Sequence, residues 1–210
     1  MEKKTIRQTG LEVIRRLENQ EELQAFSEFQ QKLRYFKKRF EDEEFRIAVV
    51  GEFSSGKSTF INALIGQDVL QHAKKETTAT ITRLVNVSPQ DTRCGKGNVK
   101  LHSGEIVALN DFTSLKEYTT TASDKLDVAA EVEQAELFVP LMKSTRPMVV
   151  VDTPGLNGTE GGHREQTMAL VQQAHACIYL ISRRGISESD MLLLRQLMTI
   201  QKNFIFIQNF

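Results

Sequence analysis

The spacing of apolar residues divides the chain into two parts that predict different structures. In residues 1–44 the large apolar side chains recur every three or four positions, the period of one face of an α-helix. The longer stripe comprises Leu23, Phe26, Phe29, Leu33, Phe36 and Phe40, and the earlier one Leu11, Ile14 and Leu17. Burying six such side chains is worth about 10 kcal/mol or more. We therefore expect an amphipathic helix over 21–42, packed either on the chain's own body or in a bundle with helices from elsewhere.

From Phe45 onward, short apolar runs alternate with helical patterns. Strands are predicted at FRIAVVG, TATITRLVNV, AAEVEQAELFV, RPMVVVDTPG, ACIYLIS and NFIFIQNF, and helices at STFINALIG, DFTSLKEYTT, GHREQTMALVQQAH and SESDMLLLRQLMTIQ. GNVKLHSGEIVAL predicts a hairpin around HSG, within an insertion at about 94–126. This alternation predicts an α/β domain over 45–210, with helices on a mostly parallel sheet.

Residues 51–58, GEFSSGKS, match the pattern G-x-x-x-x-G-K-[ST] in full. Glycines at both ends let the backbone turn its N–H groups inward, and the following helix adds its positive end. Lys57 supplies a charge for the β- and γ-phosphates, and the Ser58 hydroxyl is a hard ligand suited to Mg²⁺. The sequence thus predicts a nucleoside triphosphate site. Its predicted contacts are Gly51, Glu52, Phe53, Ser54, Ser55, Gly56, Lys57, Ser58 and Thr59.

The segment VVVDTPGL, residues 149–156, adds a second part of the site. Its strand delivers Asp152, which reaches Mg²⁺ through water, and Gly155 offers a bare backbone N–H to the γ-phosphate. Many ATPases carry Glu beside this Asp to activate water, whereas here the neighbour is Thr153, and this favours the D-x-x-G switch of a GTPase. A hydroxyl between the two motifs must also reach Mg²⁺. The candidates are Thr77, Thr78 and Thr80.

These segments resemble the dynamin superfamily, most closely its bacterial dynamin-like branch. The likeness rests on GEFSSGKSTFINALIG, ETTATITRL and VVVDTPGL, and on the long gap between Lys57 and Asp152. It covers about residues 45–210 and implies a GTPase domain whose sheet is incomplete at its C-terminal side. It also implies that two such domains pair through the nucleotide face. Arg183 and Arg184 are candidates for that contact, although they also fit a solvated loop.

The resemblance assigns roles to particular residues. It makes Thr78, just before Ala79, the switch threonine, and it implies that Ser54 helps to hold a charge-compensating K⁺ or Na⁺. The catalytic set it implies is Ser54, Lys57, Thr78 and Gly155, and the Mg²⁺ set is Ser58, Thr78 and Asp152, the last through water.

Two positions depart from the family pattern. Phe53 stands where eukaryotic dynamins carry a Gln that positions water, so backbone groups at Thr78 and Gly155, or a partner chain, must orient it. In the base-reading motif [NT]-K-x-D, Asn209 fits the first position but Phe210 stands at the Lys position. We interpret the chain as the N-terminal part of a longer protein or as a truncated gene product. In the first case we expect helix 21–42 to bundle with helices from the C-terminal side of that protein.

Charge and hydropathy narrow the choice of partners. Lys+Arg and Asp+Glu both number 27, and this zero net charge disfavours a ribosome-assembly GTPase or any other nucleic-acid binder. No apolar run approaches the ~18 residues of a membrane span, and the first residues lack a signal-peptide pattern. We expect a cytoplasmic protein, peripheral at the inner face of the cell membrane, that meets lipids through parts outside this chain.

Two hypotheses on function remain open. The first is GTP hydrolysis coupled to homodimerisation and membrane remodelling, with GTP and GDP as ligands. The second is a nucleotide-binding regulatory or scaffold module with little or no turnover, which Phe53 and the incomplete base motif favour.

Overall fold

The fold is described from a computed structural model, for residues 5–52, 55–70, 81–112, 114–115, 131–144, 147–153 and 161–209, except the side chains of 161–163. The chain divides into two compact units, Met1–Glu44 and Phe45–Phe210. The division falls where the apolar spacing changes from a helical period to strand-like runs.

The first unit is helical. Its described part contains α1 (Ile6–Glu18), α2 (Glu21–Gln24) and α3 (Ser27–Glu41). A capping box starts α1, because the Thr5 hydroxyl accepts from the Gln8 N–H and the Gln8 side chain accepts from the Thr5 N–H. Helices α1 and α3 pack side by side, and the Lys37 ammonium lies 2.9 Å from a Glu18 carboxylate oxygen. The unit is therefore a helical hairpin.

The expected single helix over 21–42 is wrong, because the helix is interrupted at Ala25 and Phe26. Phe26 has extended backbone angles, φ −96° and ψ 91°, and precedes α3 without a side-chain cap. The cause is tertiary: α3 packs on α1, so the chain reverses direction between Glu18 and Ser27, and the first predicted residues form the separate short helix α2 within this connection.

An apolar groove of about 740 Å³ lies between the two longer helices. It is lined by Ile6, Thr9, Gly10, Val13, Ile14, Leu17, Phe29, Lys32, Leu33, Phe36 and Phe40. Ile14 and Leu33 are buried, whereas Phe36 is half exposed. The stripe thus packs in part within its own unit, and its bundling with helices from elsewhere stays a prediction.

The second unit confirms the predicted α/β fold. The described residues form a sheet in the order β4-β3-β5-β2-β6-β1-β7-β8. The strands are β1 (Phe45–Val50), β2 (Ile81–Asn86), β3 (Gly97–Leu101), β4 (Ile106–Leu109), β5 (Val132–Val139), β6 (Met148–Asp152), β7 (Ala176–Ile181) and β8 (Phe204–Gln208). The helices are α4 (Lys57–Ile65), α5 (Gly161–Gln173) and α6 (Glu188–Ile200).

Parallel pairing dominates the half of the sheet that carries the sequence motifs. Strand β1 runs parallel to β6 and β7, and β7 runs parallel to β8. The predicted hairpin is β3–β4, which pairs antiparallel to β5 and widens the sheet at one edge. Strand β2 is antiparallel to β6, so the sheet is mixed. The helix predicted over 111–120 falls largely outside the described residues.

Successive apolar side chains of the central strands point to opposite faces of the sheet and pack into a hydrophobic core on each face. Val49 and Leu180 belong to the core on one face, with Ile61 of α4, while Val50 and Tyr179 belong to the core on the other. Burial on both faces explains why these strands read as uninterrupted apolar runs. Parallel strands also bring the ends of β1, β6, β7 and β8 to one edge, where a ligand site is expected.

Asn62 fixes the turn after α4. Its buried side-chain oxygen accepts from the backbone N–H of Val69 at 3.1 Å and of Leu70 at 2.8 Å, and its amide donates to the Leu70 carbonyl at 2.7 Å. We expect Asn62→Ala to lower the free energy of unfolding by about 3 kcal/mol, because three buried backbone groups lose their partner. Urea denaturation measures this, with exposed Gln67→Ala as the control. An Asn62→Ala midpoint equal to that of Gln67→Ala would contradict this role.

Candidate functional site

The loop between β1 and α4 is shaped by two glycines. Gly56 has φ +91°, and a Cβ there would overlap the side-chain amide nitrogen of Asn209. A Cβ on Gly51 would lie 2.7 Å from the Leu180 carbonyl oxygen of β7. Both positions therefore exclude a side chain, for reasons of backbone conformation or of close approach.

Asn209 joins the end of β8 to this loop. Its backbone N–H donates to the Ile181 carbonyl at 2.9 Å, and its side-chain amide donates to the Ser55 carbonyl at 3.4 Å. The residue assigned to base recognition thus lies directly against the phosphate loop, and its contact with a base stays a prediction.

Lys57 is the first residue of α4, and its side chain folds back over the loop. The ammonium donates to the carbonyl oxygens of Gly51 at 3.0 Å and Glu52 at 2.9 Å. Gly56, the N-cap, has no side chain to bind the first amides of α4, and the positive end of the helix points into the loop. Ser58 and Thr59 follow in the same first turn. This arrangement favours a ligand with several anionic oxygens.

Asp152 ends β6 directly beside β1, in register with Val49. Its Oδ1 atom is buried and has no hydrogen-bond partner among the residues that the structure describes. Burial raises the pKa of Asp152 to about 6, and the charge of Lys57 opposes this rise. A buried carboxylate oxygen without a donor is suited to a hard cation.

A magnesium ion fits this donor set. Ser58 and Asp152 would hold it, and once bound it would neutralise charge on the phosphate oxygens. Thr153 fixes the strand end next to it, because its buried hydroxyl donates to the Val49 carbonyl at 2.8 Å.

The structure brings together most of the predicted nucleotide-binding residues. Those it describes are Gly51, Glu52, Ser55, Gly56, Lys57, Ser58, Thr59, Asp152 and Asn209. Phe53, Ser54, Thr78 and Gly155 lie outside the described residues, so their predicted roles stay predictions.

Sequence reasoning missed the surroundings of the Glu52 side chain. Its Oε1 accepts from the Ser187 hydroxyl at 2.9 Å and from the Ser189 hydroxyl, at the start of α6. Ser187 is also the N-cap of α6 and forms a capping box with Asp190. The SESD sequence predicts this cap, but nothing local in the sequence links it to the phosphate loop.

Comparison with known proteins agrees with this geometry. The Dynamin family model matches residues 47–209. Dynamin-like protein A of Bacillus subtilis (strain 168) is 26% identical over 212 residues, covering 99% of this chain and 16% of that protein. Bacterial dynamin-like protein of Nostoc punctiforme is 29% identical over 152 residues, covering 69% of this chain and 21% of that protein. The chain thus spans about a fifth or less of these relatives.

A solved structure has the same fold. It is an oligomerised bacterial dynamin pair, with a TM-score of 0.65 and 18% identity, covering 100% of this chain and 32% of the other. The family match spans the loop, the Asp152 strand and Asn209, which are the parts that the site requires. The chain therefore belongs to the dynamin family, and its residues 47–209 form a dynamin-type GTPase domain.

Proposed function

We propose that hydrolysis in this domain is coupled to pairing of two copies through the nucleotide face, and that the full protein remodels membranes from the inner face of the cell membrane. The observation that carries the pairing is the position of two exposed arginines, Arg183 and Arg184, at the nucleotide edge of the sheet. Their loop contacts the phosphate loop, because Ser187 binds Glu52. The guanidinium groups of these arginines could bind the phosphates of the nucleotide held by the facing copy.

The membrane part of the proposal draws on relatives. The solved bacterial dynamin pair is described as sensing and tethering membranes over long range, and the curated relatives are dynamin-like proteins. Within the described residues, no helix has the length and apolarity needed to cross a bilayer. We propose that lipids are contacted by parts of the full protein outside this chain. The zero net charge gives no support for a nucleic-acid partner.

GTP turnover measured against protein concentration tests the pairing. We expect the rate per molecule to rise with concentration, GTP to be preferred over ATP, and Arg183→Ala/Arg184→Ala to flatten the rise. Exposed Arg195→Ala is the matched control and should keep it. Anionic vesicles added to the full protein should increase turnover further. A flat rate in the unmodified protein would reject pairing.

A nucleotide-binding regulatory or scaffold module is the second candidate. It is supported by Phe53, whose ring cannot orient water, and it predicts tight GTP binding with a slow rate that is independent of concentration. Only the first proposal includes a K⁺ or Na⁺ ion near Ser54. If this ion assists hydrolysis, replacing K⁺ and Na⁺ by choline should slow GTP turnover.

A further inference from the structure

We propose that Ser187 and Ser189 act as positioning residues that hold the Glu52 carboxylate away from the phosphate side of the loop, and so set the affinity of the site for the triphosphate. A negative charge at the second position of a phosphate loop is a liability, because it repels the ligand. The two serines at the start of α6 reduce this repulsion, because they hold the Glu52 carboxylate against α6.

The two halves of Glu52 point to different partners. Its backbone oxygen accepts from the Lys57 ammonium at 2.9 Å and is part of the cradle. Its carboxylate Oε1 accepts from the Ser189 hydroxyl and lies 2.9 Å from the Ser187 hydroxyl, whose single proton it shares with Asp190 Oδ2, also at 2.9 Å. The side chain is half-buried, so these contacts replace much of its hydration.

The clamp that holds the carboxylate is anchored in the core. The backbone N–H of Ser187 donates to Asp190 Oδ2 at 3.0 Å, and the backbone N–H of Asp190 donates to the Ser187 hydroxyl oxygen at 3.0 Å. Asp190 is 1% exposed and accepts a further hydrogen bond from the buried Tyr179 hydroxyl. Burial and the Asp190 carboxylate raise the pKa of Tyr179, so its hydroxyl remains a donor. Ser187 is therefore fixed on both sides.

Release of the carboxylate would affect nucleotide binding directly. The Lys57 ammonium already donates to the Glu52 carbonyl, so a freed Glu52 side chain would have this cation beside its own backbone. A carboxylate that turned toward Lys57 would compete with the β- and γ-phosphates for the same charge and would repel them. Because the repulsion grows with phosphate charge, GTP should lose more affinity than GDP.

A mutant cycle on the chain tests this inference. We expect Ser187→Ala/Ser189→Ala to weaken binding of a fluorescent GTP analogue about tenfold in low salt, and of the GDP analogue less. Adding Glu52→Gln to this double variant should restore GTP binding to within twofold of Glu52→Gln alone, since no charge remains to be held. The tenfold loss should shrink in 0.5 M salt, because screening weakens the repulsion. Ser103→Ala, an exposed serine in the β3–β4 turn, is the control.

Ser187 both caps α6 and contacts the Glu52 carboxylate, and measurements of GTP affinity and of the unfolding temperature distinguish these two roles. Ser189→Ala leaves the capping box of α6 intact, so it should lower GTP affinity without lowering the unfolding temperature. If the serine variants bound GTP normally, or if Glu52→Gln failed to restore binding, the inference would be overturned. An equal loss of GTP and GDP affinity would also overturn it. None of these outcomes bears on the proposed pairing of two copies, because nucleotide binding is measured on the monomer at high dilution.

Discussion

Lys57→Ala should weaken GTP binding by at least 100-fold. In the structure, the Lys57 ammonium bridges the carbonyl oxygens of Gly51 and Glu52 and lies within the loop that the phosphates must enter. Hydrogen bonds between charged groups contribute about 1.5–3 kcal/mol each, and 2.8 kcal/mol corresponds to about 100-fold in affinity. The loss combines this term with the removal of the cation that balances the phosphate charge. Release of the two carbonyl oxygens should also loosen the loop.

Retention of labelled GTP on a filter measures this effect. Lys143→Ala, an exposed lysine between β5 and β6, is the matched control and should retain GTP normally. Both variants should unfold at a temperature close to that of the unmodified protein, because Lys57 does not belong to the hydrophobic core clusters. Unchanged retention by Lys57→Ala would disprove the phosphate loop and every proposal that rests on it.

Asp152→Asn should lower GTP hydrolysis at least 100-fold and remove its response to Mg²⁺, with little loss of stability. The amide has the size of the carboxylate but carries no charge, so it binds a divalent cation poorly. Burial of Oδ1 raises the pKa of Asp152 to about 6, which means that the charged form is disfavoured unless a cation balances it. Replacing Asp152 by Asn relieves this cost of burying a charge, but it also removes the carboxylate that would hold Mg²⁺.

A titration of GTP turnover with Mg²⁺ measures the loss of the response to the ion. Urea denaturation measures how far Asp152→Asn changes the free energy of unfolding. Asp91→Asn is the control, because Asp91 binds Arg93 on an exposed turn far along the chain from the loop. Its turnover should keep the normal dependence on Mg²⁺. The magnesium assignment fails if Asp152→Asn keeps the same half-saturating Mg²⁺ concentration as Asp91→Asn.

The site could be predicted where its chemistry is local in sequence. The glycines at 51 and 56, Lys57 and Ser58 lie within eight residues, and one strand carries Asp152, so spacing alone indicates a phosphate and metal site. The strands of the central sheet could be predicted equally well, because burial on both faces produces uninterrupted apolar runs.

The remaining features depend on contacts between distant parts of the chain. Leu23 and Phe26 continue the helical stripe, yet the helix is interrupted at Ala25 and Phe26, where the chain reverses direction so that α3 packs on α1. The Glu52 side chain turns to Ser187, 135 residues further on, and no local pattern encodes that direction. Similarly, apolar spacing does not tell a parallel from an antiparallel neighbour, so the reversed direction of β2 beside β6 could not be foreseen.

The contact between Gly56 and Asn209 makes the two ends of the nucleotide site sterically interdependent. The carboxamide of Asn209 fills the space that any side chain at position 56 would need. A movement of the last strand therefore reaches the loop through one side chain, the carboxamide that Asn209 places against the Gly56 backbone and the Ser55 carbonyl. Shortening Asn209 would not by itself admit another residue at 56, because φ +91° disfavours any side chain there, so this glycine is required by its backbone conformation as well as by its neighbour.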